Sequence, residues 1–496
     1  MDKRTTSKIM PELNLPLTLV RNGQKPLYRQ LYEQLRAAIL NGSLAPGVRL
    51  PSSRALAEEL GIARNSVVSV YEELLSEGYL VSQHGSGTSV SSELPSLPKL
   101  EKAVERKIPR WLMQEEPVIS EAELPLPALP GQIDFRLGVT STALWPQQAW
   151  QAIWREVSRQ QLPGDYGDPG GEGALRTAIA SYVGRARGVA CQPEDVIIVA
   201  GTVQALDLIA RATLGMHDAV AMEEPGYPLA RAVFQSRQVQ VVPVPVDTDG
   251  LRVEMLPCGA TAPTLVYVTP SHQYPLGTRL SIARRLTLLE WAREHESLVI
   301  EDDYDSEFRF GAQPLPALAS LDDLSRVAYI GSFSKVLTPA LRAGYLIAPP
   351  LLRERITRLK LLSDIHLSWP LQQGLALFLQ SRNLERYIQR LRQHYAEKRA
   401  TLLQALAPVA GLVEMQGLDA GLHACLELKG DDVHEAEIVA RSYQRGVVVY
   451  ALHHYYLGLP DKKGLLLGYG GLEEAQIMEG AKKLAAVIRQ TDKEKK

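Results

Sequence analysis

A lysine in the second half of the chain stands among residues that could hold a phosphorylated aldehyde. Lys335 follows Ser332 and Ser334, and Arg342 comes seven positions after the lysine. A lysine amine can condense with an aldehyde to form a Schiff base. Serine hydroxyls and the fixed fork of an arginine side chain bind phosphate oxygens. This spacing predicts a pocket for pyridoxal 5′-phosphate (PLP), with Lys335 as its attachment point.

Two aspartates and a tyrosine upstream fit the ring of the same cofactor. Asp302, Asp303 and Tyr304 follow a short β-branched run at 298–300 that is typical of a buried strand. A carboxylate there can pair with the protonated pyridine nitrogen, which keeps the ring an electron sink, and a phenol can hydrogen-bond the ring oxygen. The sequence favours Asp302 for the nitrogen and leaves Asp303 open.

A small-residue turn offers a second site for the phosphate. Gly201, Thr202 and Val203 lie between a predicted strand and a predicted helix. Backbone amides at a helix N-terminus bind phosphate without any charged side chain. We therefore expect these residues to contact the cofactor phosphate.

The first hundred residues predict a different kind of site. Leu27, Leu31, Leu35 and Ile39 recur at helical spacing, a second helix is predicted to begin at Ser52 and Ser53, and a third spans residues 63–77. The first turn of the third helix carries Arg64, Asn65 and Ser66, which are able to reach base edges or phosphates in a major groove. Two short strands follow it as a hairpin wing.

Composition limits the other possibilities. The chain has 496 residues, 45% of them hydrophobic and 22% charged, with a formal net charge of −2. DNA binding must therefore depend on a local basic patch. No apolar run approaches the length of a membrane helix and no secretion signal is evident, so we expect a cytoplasmic protein. Three widely spaced cysteines predict no metal or disulfide framework.

The order of segments predicts an α/β protein with three parts. Strand-like runs alternating with amphipathic helices favour a parallel sheet, followed by a smaller α+β lobe. The predicted boundaries are a winged helix-turn-helix at 20–92, a proline-bearing linker at 93–132, and a cofactor domain at 133–490.

The N-terminal block resembles the winged helix-turn-helix of the GntR regulators. The resemblance rests on the Leu50-Pro-Ser-Ser-Arg54 turn and on the wing tip Gln83-His84-Gly85. It implies DNA contacts from Arg54, Arg64, His84 and Gly85.

Residues 133–490 resemble the fold-type I, class I aminotransferases. The resemblance implies that Tyr227 stacks on the cofactor ring and that Tyr166 reaches the phosphate of a neighbouring subunit, which makes the protein a dimer. The segment at 269–277 occupies the place of the aminotransferase Asn-Pro-Thr-Gly turn. There, His272 or Gln273 is expected to replace the asparagine, and we take His272 as a cofactor contact.

Both halves together are similar to the MocR subfamily of GntR regulators, of which the runs at 301–309 and 270–273 are typical. The resemblance implies a PLP-dependent transcriptional regulator working as a head-to-tail homodimer on a double-stranded DNA operator. Its aminotransferase-like domain would sense a small-molecule effector, with little or no physiological transaminase activity.

The sequence departs from that pattern where relatives hold an amino-acid carboxylate. Leu466 and Leu229 take the places of two arginines. We therefore expect PLP itself to be the effector, with a role in vitamin B6 metabolism. The alternatives are a regulator that responds to an amino acid or amine, whose carboxylate Arg309 or Arg279 would hold, and a working aminotransferase with an accessory DNA-binding domain.

Overall fold

The structure is a computed structural model, and it describes residues 5–10, 15–21, 25–83, 87–93, 129–311, 315–323, 325–430 and 434–494. The chain divides into two compact units, Met1–Glu115 and Glu116–Lys496. Most of the predicted linker at 93–132 falls outside the described residues.

The first unit contains the predicted winged helix-turn-helix. Its elements are β1 (Thr5–Met10), β2 (Leu15–Val20), α1 (Leu27–Leu40), α2 (Ser53–Leu60), α3 (Arg64–Ser76), β3 (Leu80–Gln83) and β4 (Gly87–Val90). Ser52 caps α2 by accepting a hydrogen bond from the amide of Ala55, and Gly61 ends the helix in the left-handed conformation. The antiparallel pair β3 and β4 forms the wing, and Arg49 bridges to Ser89 at its base.

An N-terminal hairpin that the sequence did not predict completes this unit. Strand β2 pairs with β1 on one side and buries Leu17 and Leu19 in the helical core. On its other side, the amides of Gln34 and Gln30 take the place of a further strand. The side chain of Gln34 accepts from the amide of Thr18 at 2.8 Å and donates to its carbonyl at 2.7 Å, and Gln30 does the same for Val20 at 2.9 and 3.1 Å. Residues four apart on a helix share a face, so both glutamines meet the same strand.

The second unit has a large lobe built on an eight-stranded sheet. Strand β5 (Ile133–Asp134) comes first in the chain but packs in the core of the smaller lobe. The elements of the large lobe are α4 (Gln147–Val157), α5 (Gly173–Arg187), β6 (Val196–Val199), α6 (Thr202–Thr213), β7 (Ala219–Glu224), α7 (Pro228–Gln235), β8 (Gln240–Asp247), β9 (Gly250–Leu251), β10 (Leu265–Val268), α8 (Ile282–Glu294), β11 (Leu298–Asp303), α9 (Leu318–Leu321), β12 (Val327–Ser332), β13 (Gly344–Ile347), α10 (Pro350–Ser363) and α11 (Trp369–Gln380).

The strand order in this sheet is β6-β13-β12-β11-β10-β7-β8-β9. The five strands from β12 to β8 run parallel, whereas β13 is antiparallel to both of its neighbours. Successive side chains in a strand point to opposite faces. Val196 and Ile198 accordingly join one core and Ile197 and Val199 the other, so both faces of the sheet are buried.

A smaller lobe ends the chain. Its elements are α12 (Asn383–Leu406), β14 (Val413–Gln416), β15 (His423–Leu428), α13 (Glu435–Gln444), β16 (Val447–Val448), β17 (Tyr450–Ala451), β18 (Gly464–Gly468) and α14 (Glu474–Lys493). Strands β14, β15, β18 and β17 form an antiparallel sheet that packs on α12 and α14. This arrangement confirms the predicted α/β fold with a smaller α+β lobe. Within the described ranges, no helix has both the length and the apolar character needed to cross a membrane.

Candidate functional site

A cavity of about 700 Å³ opens at the carboxyl ends of the parallel strands. This is where ligands bind in open α/β sheets. Residues from both lobes line it. The predicted cofactor contacts in its lining are Thr202, Val203, Tyr227, Asp302, Tyr304, Ser332, Ser334, Lys335 and Arg342. The structure thus brings together nine side chains that are spread over 141 positions of the sequence.

Lys335 lies in the loop after β12 and reaches across the cavity. Its Nζ donates a hydrogen bond to the carbonyl of Gly138 at 2.8 Å. A Cβ at Gly138 would lie 2.9 Å from that nitrogen, so a side chain at this position would push the amine away from it. Burial lowers the pKa of Lys335, and the nearby carboxylates of Asp305 and Asp302 oppose part of that shift. A lysine with a lowered pKa is more readily a neutral nucleophile.

The two adjacent aspartates at the end of β11 face opposite sides of the sheet. Asp303 points away from the cavity, and its Oδ2 accepts from Arg187 at 2.6 Å, from Tyr329 at 2.6 Å and from Ser306 at 3.0 Å. Burial opposes its ionisation, but the guanidinium of Arg187 and the hydroxyl of Tyr329 outweigh it and hold the pKa of Asp303 below its usual value. Asp303 is therefore ion-paired and hydrogen-bonded within the protein and does not face the cavity.

Asp302 lines the cavity and retains hydrogen-bonding capacity. Its Oδ2 accepts from the hydroxyl of Tyr267 at 2.8 Å. Its Oδ1 is buried and has no hydrogen-bond partner among the described residues. Burial raises the pKa of Asp302 to about 7, with the bond from Tyr267 opposing the shift. A buried carboxylate oxygen without a donor fits a protonated ring nitrogen, so the donor set suits PLP.

Helix α6, two serines and an arginine bring groups to the cavity that are able to bind a phosphate. Helix α6 begins at Thr202, and Gly201 before it has φ 111°, a value that side-chain-bearing residues rarely adopt. A Cβ at Gly201 would lie 3.3 Å from Nη2 of Arg342, so this guanidinium stands beside the helix N-terminus. Ser332 and Ser334 line the same cavity. Free amides, hydroxyls and a guanidinium at one place form an anion site.

The aromatic wall contains a residue that the sequence analysis missed. Tyr274 lines the cavity and packs edge-on against Tyr227, with ring centroids 5.4 Å apart, and against Tyr304 at 5.8 Å. In an Asn-Pro-Thr-Gly turn the asparagine immediately precedes the proline. The matching tetrapeptide here is Tyr274-Pro275-Leu276-Gly277, so counting from the proline would have found it.

His272 and Gln273 are not among the residues that line the cavity. His272 is buried behind Tyr304 and bonds to Asp305, while the amide of Gln273 donates to the carbonyls of Pro225 and Tyr274. The expectation that one of them faces the cofactor in place of the asparagine is therefore corrected. One ligand atom from each of His272, Asp305 and His423 lie within 4.8 Å of one another, which is close enough to hold a metal ion.

The positions expected to bind an effector carboxylate also differ from the sequence analysis. Leu229 lines the cavity, whereas Leu466 is fully buried in an apolar cluster with Tyr455. Arg279 lines a separate cavity of about 500 Å³, and Arg309 does not line the cofactor cavity. The suggestion that either arginine could replace the missing anchors is therefore corrected.

One arginine that the sequence analysis passed over does reach the cavity. Arg136 lines it, but its guanidinium pairs with Asp134 at 3.1 Å and donates to the hydroxyl of Tyr450 at 3.4 Å. Tyr166 is 69% exposed on a loop and lies outside the cavity of its own chain.

The predicted DNA face lies on the first unit. Arg54, Arg64 and Asn65 are exposed, and Ser66 is half-buried. Nε of Arg64 lies 3.5 Å from Oγ of Ser53, which places the two helices' first turns side by side. His84 and Gly85 fall outside the described residues. Arg49 adds an exposed guanidinium at the wing, since a Cβ at Gly87 would lie 3.0 Å from its Nε.

Comparison with protein families divides the chain in the same way. The model for bacterial regulatory proteins of the gntR family matches residues 27–90, and the model for class I and II aminotransferases matches residues 134–482. A solved structure similar to the second unit is that of LysN, an α-aminoadipate aminotransferase from Thermus thermophilus complexed with N-(5′-phosphopyridoxyl)-L-leucine. It is 26% identical, with a TM-score of 0.66, over 73% of this chain and 94% of that one.

Curated relatives match over nearly the whole length. The probable rhizopine catabolism regulatory protein MocR of Rhizobium meliloti is 36% identical over 95% of this chain and 96% of its own. The pyridoxine biosynthesis transcriptional regulator PdxR of Corynebacterium glutamicum is 34% identical over 93% of this chain and 96% of its own. The cofactor groups of the cavity, the winged helix and these matches lead to one conclusion: the chain belongs to the MocR-like subfamily of GntR transcriptional regulators, which join a DNA-binding domain to a PLP-binding aminotransferase-like domain.

Proposed function

We propose that this regulator senses PLP itself, so that occupancy of the cavity changes the affinity of the winged domain for its operator. The observation that carries the proposal is the asymmetry of the cavity. Groups suited to each polar part of the cofactor line it, and so does Leu229, at the position where the resemblance to γ-aminobutyrate-responsive regulators would place an arginine for a carboxylate. The relative named as a regulator of pyridoxine biosynthesis supports the same choice.

When bound, PLP supplies an aldehyde for Lys335 and a ring that acts as an electron sink. In this proposal Asp302 holds the pyridine nitrogen through its unpartnered Oδ1, and Tyr304 contacts the ring oxygen. Tyr227 stacks on the ring. The residues assigned to the phosphate are Gly201, Thr202, Val203, Ser332, Ser334 and Arg342, with Tyr166 contributed by the partner in a head-to-tail homodimer.

The positively charged side chains that line the cavity argue against an amino acid as the effector. Among the described residues, two arginines line the cavity, Arg342 and Arg136. Arg136 is already paired with Asp134 and hydrogen-bonded to Tyr450. A carboxylate that lacks a charged partner forgoes hydrogen bonds worth about 1.5–3 kcal/mol each. Burying it unpaired costs still more. An amino acid would therefore have to displace Asp134 from Arg136.

The proposed DNA contacts are exposed groups on the winged domain. Arg54, Arg64, Asn65 and Ser66 would meet the major groove and its phosphates, with His84 and Gly85 at the wing tip. Two winged domains in a dimer would read two half-sites of one operator. Coupling between cofactor and DNA of about 1–3 kcal/mol, typical of allosteric regulators, corresponds to a change in affinity of roughly 5- to 150-fold.

The test is a titration of one operator fragment with cofactor-free protein, PLP-loaded protein, and loaded protein with each of a panel of amino acids and amines. We expect PLP to shift operator affinity and common α-amino acids and γ-aminobutyrate to leave it unchanged. Equal binding by the free and loaded forms, with a shift by one amino acid, would refute the proposal and point to Arg136. Indifference to every ligand would make the second unit a dimerisation scaffold.

Two arginines provide matched controls in the same titration. Arg342→Ala removes a proposed phosphate contact and should move the response to higher PLP concentrations, whereas Arg279→Ala, in the separate cavity, should not. The same samples also report turnover: conversion of the loaded protein's visible absorbance by an amino donor would favour a working aminotransferase.

A further inference from the structure

We propose that His272 and Asp305 form a positioning pair that turns the hydroxyl hydrogen of Tyr304 into the cofactor cavity. The inference rests on the cofactor site proposed above, in which Tyr304 contacts the ring oxygen. It assigns a role to two buried polar residues that do not themselves provide the described groups for the nitrogen, the phosphate or the aldehyde.

The three side chains lie within hydrogen-bonding distance. Nδ1 of His272 is 2.8 Å from Oδ2 of Asp305 and 3.1 Å from the hydroxyl oxygen of Tyr304. On the other side of the ring, Nε2 of His272 is 3.2 Å from the carbonyl oxygen of Gly417. His272 and Asp305 are only 1% and 2% exposed, so water does not compete for these contacts.

The partners determine where the protons are. A carbonyl oxygen only accepts, so Nε2 of His272 must carry a hydrogen. A separation of 2.8 Å between Nδ1 and a carboxylate oxygen then requires one proton between them, whichever atom holds it. Nδ1 therefore has no lone pair left for a second strong bond. The hydroxyl of Tyr304 can accept from this unit but cannot donate to it.

The hydrogen of Tyr304 consequently has to point elsewhere, and the cavity is the open direction. Burial raises the pKa of Tyr304 well above its usual value, and Asp305 adds to the shift, so the phenol keeps its hydrogen. The other charged or titratable groups that act on it are Tyr274, Asp302 and Glu223. A neutral donor aimed at the ring oxygen of the cofactor stabilises the anionic form of that oxygen.

Two glycines lie directly against His272 and Asp305. Gly421 comes from the small lobe, and Gly277 ends the segment at 269–277. A Cβ at Gly421 would collide with the ring of His272 and the carboxylate of Asp305, and one at Gly277 would lie 2.8 Å from Nε2 of His272. Both glycines also have positive φ, 77° in each case. The backbone thus closes on the pair, as expected for side chains whose orientation is fixed by packing.

The test is a pH titration of the visible absorbance of the Lys335-bound cofactor. Asp305→Ala removes the carboxyl and with it the shared proton, so His272 with its hydrogen on Nε2 has a free lone pair on Nδ1 that can accept from Tyr304. We expect the midpoint to rise by about one pH unit or more, because the ring oxygen loses a donor to its anionic form. His272→Asn should move it in the same direction and provides the measurement if the first variant does not fold.

A double-mutant cycle separates positioning from general damage. In a Tyr304→Phe background, Asp305→Ala should no longer raise the midpoint, because the only remaining effect is the loss of a carboxylate near Lys335, which lowers it. His295→Asn, a histidine that follows α8 and whose Nδ1 also bonds within the protein, should leave the midpoint unchanged in either background. A rise that persists without the Tyr304 hydroxyl, or no rise in the single variants, overturns the inference. The readout involves no DNA, so a regulator indifferent to PLP would still report it.

Discussion

The cofactor cavity and the proposed DNA face hold their polar side chains in opposite ways. Around the cavity, Asp303, Asp305 and His272 are almost completely buried and bonded to other parts of the protein. On the winged domain, Arg54 and Arg64 are exposed, and the nearest hydrogen bond of Arg64 is a long 3.5 Å contact to Ser53. The groups around the cavity are therefore held in place by the protein itself, whereas the exposed arginines have few contacts that hold them in one conformation.

The difference has an energetic consequence. A preorganised buried site stores the cost of its charges in the folded protein, so its substitutions alter stability as well as binding. Exposed arginines cost little in the free protein and lose side-chain entropy only in the complex. Substitutions on the DNA face should therefore alter binding and spare the fold. The variants that follow challenge this contrast, beginning with the largest effect.

Lys335→Ala should abolish the visible absorbance of the covalently bound cofactor completely. The phosphate and ring contacts remain, so PLP should still bind without a covalent bond and be removed more readily by dialysis. Absorption spectra before and after dialysis measure both effects. An unchanged spectrum would assign the attachment to another lysine.

Replacing each of the two adjacent aspartates by asparagine should change the stability of the cofactor-free protein in opposite directions. Asp303→Asn leaves Arg187 buried without its ion-pair partner and should destabilise the cofactor-free protein by about 3–5 kcal/mol. For Asp302, a pKa raised from 3.8 to about 7 means that the folded protein holds a proton which the unfolded chain releases. The free energy of unfolding therefore falls as the pH rises from 3.8 to about 7 and stays constant above that. The total loss is at most about 4 kcal/mol.

Asp302→Asn should therefore stabilise the cofactor-free protein at about pH 8, with a smaller gain at about pH 5, and should weaken retention of PLP. Urea unfolding at both pH values, with Asp303→Asn alongside, measures the contrast. If both variants destabilised the protein at the higher pH, the ionised carboxylate of Asp302 would not be a cost to the cofactor-free fold.

Arg64→Ala should weaken operator binding by about 1–3 kcal/mol if the side chain contacts a base. The thermal midpoint and PLP content should not change, because the residue is exposed and sits at the first position of α3. Binding to operator and random DNA measures the effect, with the exposed Arg159→Ala of the second unit as control. Equal losses on both DNAs would make Arg64 a phosphate contact, and a loss of stability would weaken the contrast drawn above.

The sequence predicts the chemistry of the cavity better than its architecture. Lys335, Asp302 and Tyr304 follow strands whose β-branched runs are recognisable, and strand ends meet at one edge of a parallel sheet. Tyr274 escaped notice because its position depends on counting from a proline, and His272 was misplaced for the same reason. The pairing of His272 with Asp305 and Gly417 joins residues 33 and 145 positions apart, which no local pattern encodes.

The glutamine pair on α1 determines how much of the chain a transferable DNA-binding module must include. The matched gntR family segment begins at residue 27, within α1 as the structure has it. A fragment cut there would lack Leu17 and Leu19, each worth about 1.5–3 kcal/mol of burial in the core that also holds Leu31 and Leu35. Gln30 and Gln34 would also lose their bonds to the backbone of β2. A DNA-binding domain transferred from this regulator to another protein should accordingly start upstream of β2. It then keeps the strand whose backbone is bonded by the side-chain amides of Gln30 and Gln34.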